Sequence, residues 1–218
     1  MWDIETGAEV EEKILRGDSE HSFVAITLDG RRAVSASYDN TLRVWDLTSG
    51  DVETTLVGHT DDVNFVTITP DGRRAVSASS DNTLRVWNLE TGAEEKSLQD
   101  TARVQAVAIT PDSLHAISGN WTGTLRVWDL KSGAEEKTLQ EHGLWLTSVA
   151  ITQDGRCAVS ASADRTVKVW DLANGLCVAT YSAGASVSAV AVYGDNRIVC
   201  GTVDGQMHFL KLMNERSI

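Results

Sequence analysis

Two sets of residues in this chain combine the side-chain types of a hydrolase catalytic triad. In such a triad, histidine takes the proton of a serine hydroxyl as general base, and aspartate orients the imidazole. Each set also ends in a tryptophan. The sets are His59, Ser77, Ser79, Asp81 and Trp87, and His142, Ser160, Ser162, Asp164 and Trp170. The residue types alone would therefore support acyl transfer.

The rest of the sequence argues against catalysis. The chain has no GxSxG nucleophile elbow, and an active site would need a set of residues that occurs only once. It also has no HExxH, P-loop, GxGxxG or EF-hand pattern, so motifs for metals, phosphates and nucleotides are missing. The sequence predicts a protein that is not an enzyme and that holds no cofactor and no metal.

Composition limits the classes of partner. The chain has 218 residues and a formal net charge of −12, whereas binding to nucleic acid requires clustered lysine and arginine. No run of 18 apolar residues occurs, so no membrane span and no membrane partner are expected. Met1 runs directly into repeat sequence, so no signal peptide is expected. The three cysteines lack CxxC spacing, which favours free thiols in a reducing, cytoplasmic setting.

A Trp-Asp or Trp-Asn pair returns about every 42 residues. The pairs begin at Trp2, Trp45, Trp87, Trp128 and Trp170. The copies are close, because residues 26–47 and 68–89 differ at only three of 22 positions. Self-similarity at this period indicates a repeat architecture with one structural unit per repeat.

The second repeat indicates what each unit is. Residues 63–69, 75–79 and 83–89 are short β-forming runs separated by turn signals, and residues 93–98 are polar enough for an exposed edge strand. Four short antiparallel strands form a twisted sheet that cannot bury both of its faces alone. The sheets must therefore pack face to face around an axis, which predicts an all-β propeller.

The run from Gly58-His59 through an SxSxD stretch to Trp87-Asn88 resembles a WD40 repeat, and the resemblance covers nearly the whole chain. It implies a WD40 β-propeller of four-stranded antiparallel blades. It also implies that His, Ser, Asp and Trp of the two sets form buried hydrogen-bond networks that tie strands together. The third repeat departs from this pattern, with Asp100 and Thr122 at the His and Asp positions. We expect incomplete networks to make the third and fifth blades locally softer.

The predicted strands make five blades' worth in one domain spanning residues 1–218. Sets of three inner strands are predicted at about 22–47, 62–89, 104–130, 146–172 and 186–212. Outer strands are predicted at about 52–57, 94–99, 135–139 and 177–182, and one more stands alone at about 8–15. We expect this N-terminal strand to complete the last blade or a blade of a neighbouring chain.

Two features suggest a longer array. WD40 rings usually have seven or eight blades, and Met1-Trp2-Asp3 resembles the end of a third strand whose place residues 206–212 would already fill. Leu210 replaces the repeated tryptophan, as in a final repeat. We therefore interpret the chain as the C-terminal part of a longer array. It either closes with five blades or associates with another copy through its open ends.

Exposed positions at which the repeats differ are candidates for a binding site. Trp121 lies in the turn between the second and third strands, where the first repeat has Tyr38. Trp145 lies at the entrance to an innermost strand, where other repeats have Asp62 and Arg103. The resemblance places both positions on the face that most often contacts partners, and Trp, Tyr and Arg dominate interface energies. We predict that these five residues form a partner-binding patch; the alternative is local packing of the aromatic rings.

The resemblance implies a function in binding rather than in catalysis. We expect a protein-interaction scaffold or sensor module of a larger intracellular protein, with a protein or peptide partner on the top face of the propeller. The alternative is a lectin-like five-bladed propeller that holds a small ligand or glycan.

Overall fold

The computed structural model describes residues 21–194 and 197–212, with only the backbone of His21 and Ser22. Every regular element in these residues is a β-strand, which confirms the predicted all-β class. The strand predicted at 8–15 and the Met1-Trp2-Asp3 motif lie outside the described residues. Within them, no helix is long and apolar enough to cross a membrane.

The strands form five sheets, numbered here as blades 1 to 5. Blade 1 contains β1 (His21–Ile26), β2 (Arg32–Ser37), β3 (Thr41–Asp46) and β4 (Val52–Val57). Blade 2 contains β5 (Val63–Ile68), β6 (Arg74–Ser79), β7 (Thr83–Asn88) and β8 (Glu94–Gln99). Blade 3 contains β9 (Val104–Ile109), β10 (His115–Asn120), β11 (Thr124–Asp129) and β12 (Glu135–Gln140). Blade 4 contains β13 (Leu146–Ile151), β14 (Cys157–Ser162), β15 (Thr166–Asp171) and β16 (Leu176–Ser182). Blade 5 contains β17 (Val187–Tyr193), β18 (Arg197–Thr202) and β19 (Met207–Lys211).

Each blade is an antiparallel meander whose neighbouring strands are consecutive in sequence. Between the first and second strands of blade 2, the Thr69 hydroxyl donates to Asp71 Oδ1 at 2.6 Å, and the same oxygen accepts the Arg73 N–H at 3.0 Å. The turn between the second and third strands needs a left-handed residue, and Asn82 supplies it with φ 68°. These turns fix the register that sets Ala75 opposite Trp87.

The hydrophobic core lies between the blades. We call the side of a blade that faces the next blade in sequence its forward face, and the opposite side its backward face. At the first junction the forward face of blade 1 contributes Val34 and Val44, and the backward face of blade 2 contributes Val66 and Trp87. The same two faces meet at the three later junctions. Residues 75–79 of the second strand are buried throughout, which is typical of a strand covered on both faces.

In the part of the chain that the structure describes, the five blades follow one another along an arc. First strands pack side by side along the arc, β1 with β5, β5 with β9, β9 with β13 and β13 with β17. Among the described strands, substantial contacts join each blade only to its neighbours in sequence. Blade 5 has three strands in the described residues, in the order β17-β18-β19. The predicted five-blade tally therefore holds for the 19 described strands, and the strand predicted at 8–15 stays a prediction.

Candidate functional site

The loops that lead into the first strands meet the turns between the second and third strands at one end of the blades, here called the top face. One backbone hydrogen bond of 2.9–3.0 Å joins these two loops in each of blades 2 to 5. The joined pairs are Asp62–Ser80, Arg103–Trp121, Trp145–Ala163 and Ser186–Val203. The two loop positions that sequence variation singled out are therefore direct neighbours within a blade.

Two tryptophans stack across the top of the junction between blades 3 and 4. The ring centroids of Trp121 and Trp145 are 5.1 Å apart, with an angle of 11° between the ring planes. Trp121 is nevertheless 48% exposed and Trp145 38% exposed. Leu144, next to Trp145, is also exposed. The rings thus pack on one another, as the packing alternative expected, and still present apolar surface to the solvent.

A buried asparagine holds the turn that carries Trp121. Asn120 is fully buried, and its Nδ2 donates to Asp100 Oδ1 at 2.9 Å. Its Oδ1 accepts the backbone N–H groups of Thr122 and Thr124 at 3.0 and 3.1 Å. Because a buried amide with satisfied donor and acceptor groups is costly to displace, this network fixes the turn in one conformation.

The loop that carries Trp145 is held from both sides. The Ser162 hydroxyl lies 3.1 Å from the Leu144 carbonyl oxygen and 3.0 Å from that of Trp145, and donates to them. From blade 3, the turn at Gly123 approaches the same loop with φ +81°. A Cβ atom at Gly123 would lie 2.6 Å from the His142 carbonyl oxygen and 2.7 Å from that of Leu144. Glycine therefore permits the close approach that brings the two indoles together.

The structure assembles part of the predicted patch. Arg103 is exposed and its backbone is hydrogen bonded to that of Trp121. We call the residues Arg103, Trp121, Leu144 and Trp145 the indole patch. Tyr38 and Asp62 lie on the top face of blades 1 and 2, but among the described residues no hydrogen bond, ion pair or ring contact joins their side chains to this patch.

Three residues that build the patch were not predicted from the sequence to contribute to it. For Leu144 the sequence held a signal, because residues 143–145 read Gly-Leu-Trp where the second repeat has Thr-Asp-Asp. For Gly123 it held another, since Asn82 occupies its place in the second repeat. Ser162 was predicted only as part of a buried network, and nothing in the sequence indicates its contact with the indole loop, because a serine stands at the same strand position in blades 1 and 2 as well.

The triad-like residues form two buried networks with the same geometry. In blade 2, His59 Nδ1 lies 2.7 Å from Asp81 Oδ2, and His59 Nε2 lies 2.7 Å from Ser77 Oγ. Trp87 Nε1 donates to the same serine oxygen at 2.8 Å. Because Ser77 Oγ accepts the indole N–H, the serine hydroxyl donates its own hydrogen bond to Nε2. The Nδ1–H group donates to the Asp81 carboxylate, so the network assigns the tautomer that is protonated on Nδ1.

Blade 4 repeats this network with its own residues. His142 lies 2.8 Å from Asp164 and 2.7 Å from Ser160 Oγ, which accepts the Trp170 indole N–H at 2.8 Å. The remaining serines hold loops: Ser79, like Ser162, donates to a backbone carbonyl oxygen, that of Asp61, at 3.0 Å.

Burial decides the protonation of these networks. The His59 side chain has no exposed surface, and this burial lowers the pKa of His59 and keeps the imidazole neutral. Burial alone would raise the pKa of Asp81, but hydrogen bonds from Thr83 and His59 outweigh it and lower that pKa. Ser77 is fully buried, so its hydroxyl is closed to a substrate and serves the structure.

The glycine before His59 has a steric reason. A Cβ atom at Gly58 would lie 2.7 Å from Arg85 Nη1 and 2.9 Å from the Trp87 ring. The backbone therefore reaches the histidine position only by passing closely over the ring and over the ion pair between Arg85 and Glu94.

Blade 3 has a substitute network. Asp100 is buried at the histidine position, and Arg126 Nε lies 3.1 Å from its Oδ1, an ion pair without an aligned hydrogen bond. Trp128 Nε1 still donates to Ser118 Oγ at 2.9 Å. The Asp100 Oδ2 atom has no hydrogen-bond partner among the described residues. The softer third blade expected from the sequence stays a prediction.

A cluster at the opposite end of blade 3 combines His115, Asp129 and Glu136, with one ligand-type atom of each within 4.8 Å of the others. His115 Nε2 lies 3.4 Å from Glu136 Oε2. The equivalent pairs in blades 1 and 2 are ion pairs between arginine and glutamate. They are Arg32–Glu53 at 2.7 Å and Arg74–Glu95 at 2.8 Å. We interpret the cluster as the blade 3 version of this strand-to-strand pair.

Comparison with known families agrees with the geometry. The WD domain, G-beta repeat model matches residues 12–46, 50–88 and 93–129, which together make up just over half of the chain. The model of the TEP-1 C-terminal beta-propeller matches residues 142–212. The two models together cover every described strand except β12.

Proposed function

Since the chain belongs to the WD40 repeat family of β-propellers, we propose that it is a non-catalytic interaction module that binds a protein or peptide through the indole patch. WD40 propellers generally act as scaffolds for protein interactions. The specific part of the proposal is the location of the binding site at the junction of blades 3 and 4.

The observation that supports this location is the exposed indole stack. Stacked aromatic rings gain about 0.5–1.5 kcal/mol beyond the area they bury, so the pair is held without being covered. The loops beneath it are fixed by Asn120 and Ser162. A site that is ordered before binding loses little conformational entropy when a ligand arrives.

The chemistry of the patch indicates what the partner should offer. The faces of Trp121 and Trp145 and the side chain of Leu144 favour an apolar or aromatic side chain of the partner. The Arg103 guanidinium favours a carboxylate nearby, because arginine binds carboxylates through two parallel hydrogen bonds. We infer a ligand segment in which an acidic residue lies near an apolar anchor.

The buried networks support the non-catalytic part of the proposal. The serine that contacts each histidine, Ser77 or Ser160, is fully buried and accepts the indole N–H of its own blade. The three cysteines are free, and burial raises the pKa of Cys157 and Cys200, so these thiols are poor nucleophiles. Because the three cysteines are free, we also propose a reducing, intracellular setting for the chain.

A peptide selection tests the proposed site. Random peptides displayed on phage are selected on the chain, and the affinities of the resulting peptides are measured for Trp121→Ala and Trp145→Ala variants. We expect each substitution to weaken binding about 30-fold or more, as for an aromatic hot spot. Tyr193→Ala is the matched control, because this exposed aromatic residue ends β17 away from the top face.

The outcomes separate the proposed site from its rivals. Peptides that bind the double Trp121→Ala, Trp145→Ala variant as tightly as the original chain would place the site elsewhere. If no peptide is selected and a glycan array gives ligands that depend on the two indoles, the lectin-like alternative replaces the proposal.

A further inference from the structure

The two ends of the arc expose the faces that are buried at every internal junction. On the backward face of blade 2, Val66 is 2% exposed, and its counterparts in blades 3 to 5 are also buried. The equivalent residue of blade 1, Val24, is 62% exposed, and Ile26 and Leu28 beside it are exposed as well. The sequence of blade 1 thus has the residues of a junction face, without a described neighbour to cover them.

The forward face of blade 5 shows the complementary pattern. Leu84 and Val86 on the forward face of blade 2 are fully buried. The residues at the same strand positions in blade 5 are Met207 and Phe209, which are 65% and 69% exposed. Large exposed apolar patches of this kind mark interaction sites in soluble proteins.

We propose that the forward face of blade 5 binds the backward face of blade 1 in a second copy of this chain. Four junctions inside the chain join a forward face to a backward face, so a junction between copies would continue an interface that the fold already uses. The contact is heterologous, because one copy contributes Met207 and Phe209 and the other contributes Val24. The pair of copies then keeps one free face of each kind, and assembly continues until a ring closes or a filament forms.

The variants for the test lie outside the core of the single chain. Val24→Asp blocks the backward face and Phe209→Asp blocks the forward face, and both side chains are more than half exposed. Sedimentation velocity gives the mass of each species over a range of concentrations, and circular dichroism checks that each variant keeps its β-structure. Ile26→Lys and Met207→Lys provide a second pair of variants on the same two faces.

The unmodified chain is expected to form species of two or more copies, and each single variant is expected to be monomeric. An equimolar mixture of the Val24→Asp and Phe209→Asp variants should give only a dimer, because one intact forward face meets one intact backward face. A chain that carries both substitutions should stay monomeric at every concentration.

Three results would overturn the proposal. One is an unmodified chain that remains monomeric at all concentrations, which would mean that the end faces close within one chain or stay uncovered. The second is association that persists in the doubly substituted chain, and the third is a mixture of single variants that gives no dimer. Either of these two would place self-association on another surface.

Discussion

Blades 2 and 3 share their fold and differ at the top face. In blade 2, Asp62 and Ser80 occupy the two joined loop positions, and both side chains are small and polar. In blade 3 the same positions hold Arg103 and Trp121, and the indole extends over the junction to Trp145. Residues common to the repeats therefore form the scaffold, whereas residues that differ at exposed loops form the candidate site.

The largest loss of stability should separate two tryptophans, one in each of these blades. Trp87 is buried in the junction core, so Trp87→Ala should lower the free energy of unfolding by about 3–5 kcal/mol. Trp121 is exposed on one side, so Trp121→Ala should cost about 1 kcal/mol, mostly from the lost stack. Chemical denaturation measures both values; equal losses would contradict the division into scaffold and site.

The next effect concerns the histidine network of blade 2. His59→Leu leaves Asp81 and Ser77 without their partner, and we expect a loss of about 1–3 kcal/mol in the free energy of unfolding. His142→Leu should cost a similar amount in blade 4, where the distances are the same within 0.1 Å. His115→Leu is the control, because this side chain is partly exposed at the opposite end of blade 3. A loss at His115 as large as that at His59 would refute a special role for the network.

The glycine between the two indole loops should have an effect on stability of similar size and, in addition, a specific effect on the site. Gly123→Ala should cost about 1–3 kcal/mol, because the new methyl group would press on the carbonyl oxygens of His142 and Leu144. The displaced loop should also disturb the indole stack and change tryptophan fluorescence. Gly72→Ala is the matched control: its φ of +70° is similar, but no atom lies within 4 Å of the new Cβ. Identical fluorescence and stability in the two variants would argue against the close approach.

The smallest effect should be a dependence of stability on pH. Burial lowers the pKa of His59 and His142 below their usual 6.5 in the folded protein, so below that pH the unfolded state binds more protons. The free energy of unfolding should therefore fall as the pH drops from 6.5 through the lowered values. The pKa values of Asp81 and Asp164 are lowered below 3.8, so a second loss should follow at lower pH.

A double variant isolates the histidine contribution. His59→Gln with His142→Gln should flatten the slope of stability near pH 6 and leave the loss below pH 4. Unfolding by urea at a series of pH values measures both slopes. An unchanged slope near pH 6 in the double variant would show that other groups cause it.

The sequence predicts the scaffold well because its signals are local and repeated. Turn residues, strand alternation and the returning tryptophan specify each blade, and the predicted outer strands at 135–139 and 177–182 agree with the structure to within one residue. The stacking of Trp121 on Trp145 could not be read in this way, because it depends on how two blades pack across a junction. The buried Asp100 and Asn120 also replace the usual network through contacts between residues 20 positions apart.

If the stacked indoles are the ligand-binding surface, hydrogen exchange in the presence of a bound ligand should show slower exchange around them. With a selected peptide present, backbone amides of residues 119–124 and 143–147 should exchange more slowly, while those at the opposite end of the same blades stay unchanged. Protection confined to the loops at 110–115 and 152–157, or spread evenly over all five blades, would contradict the account.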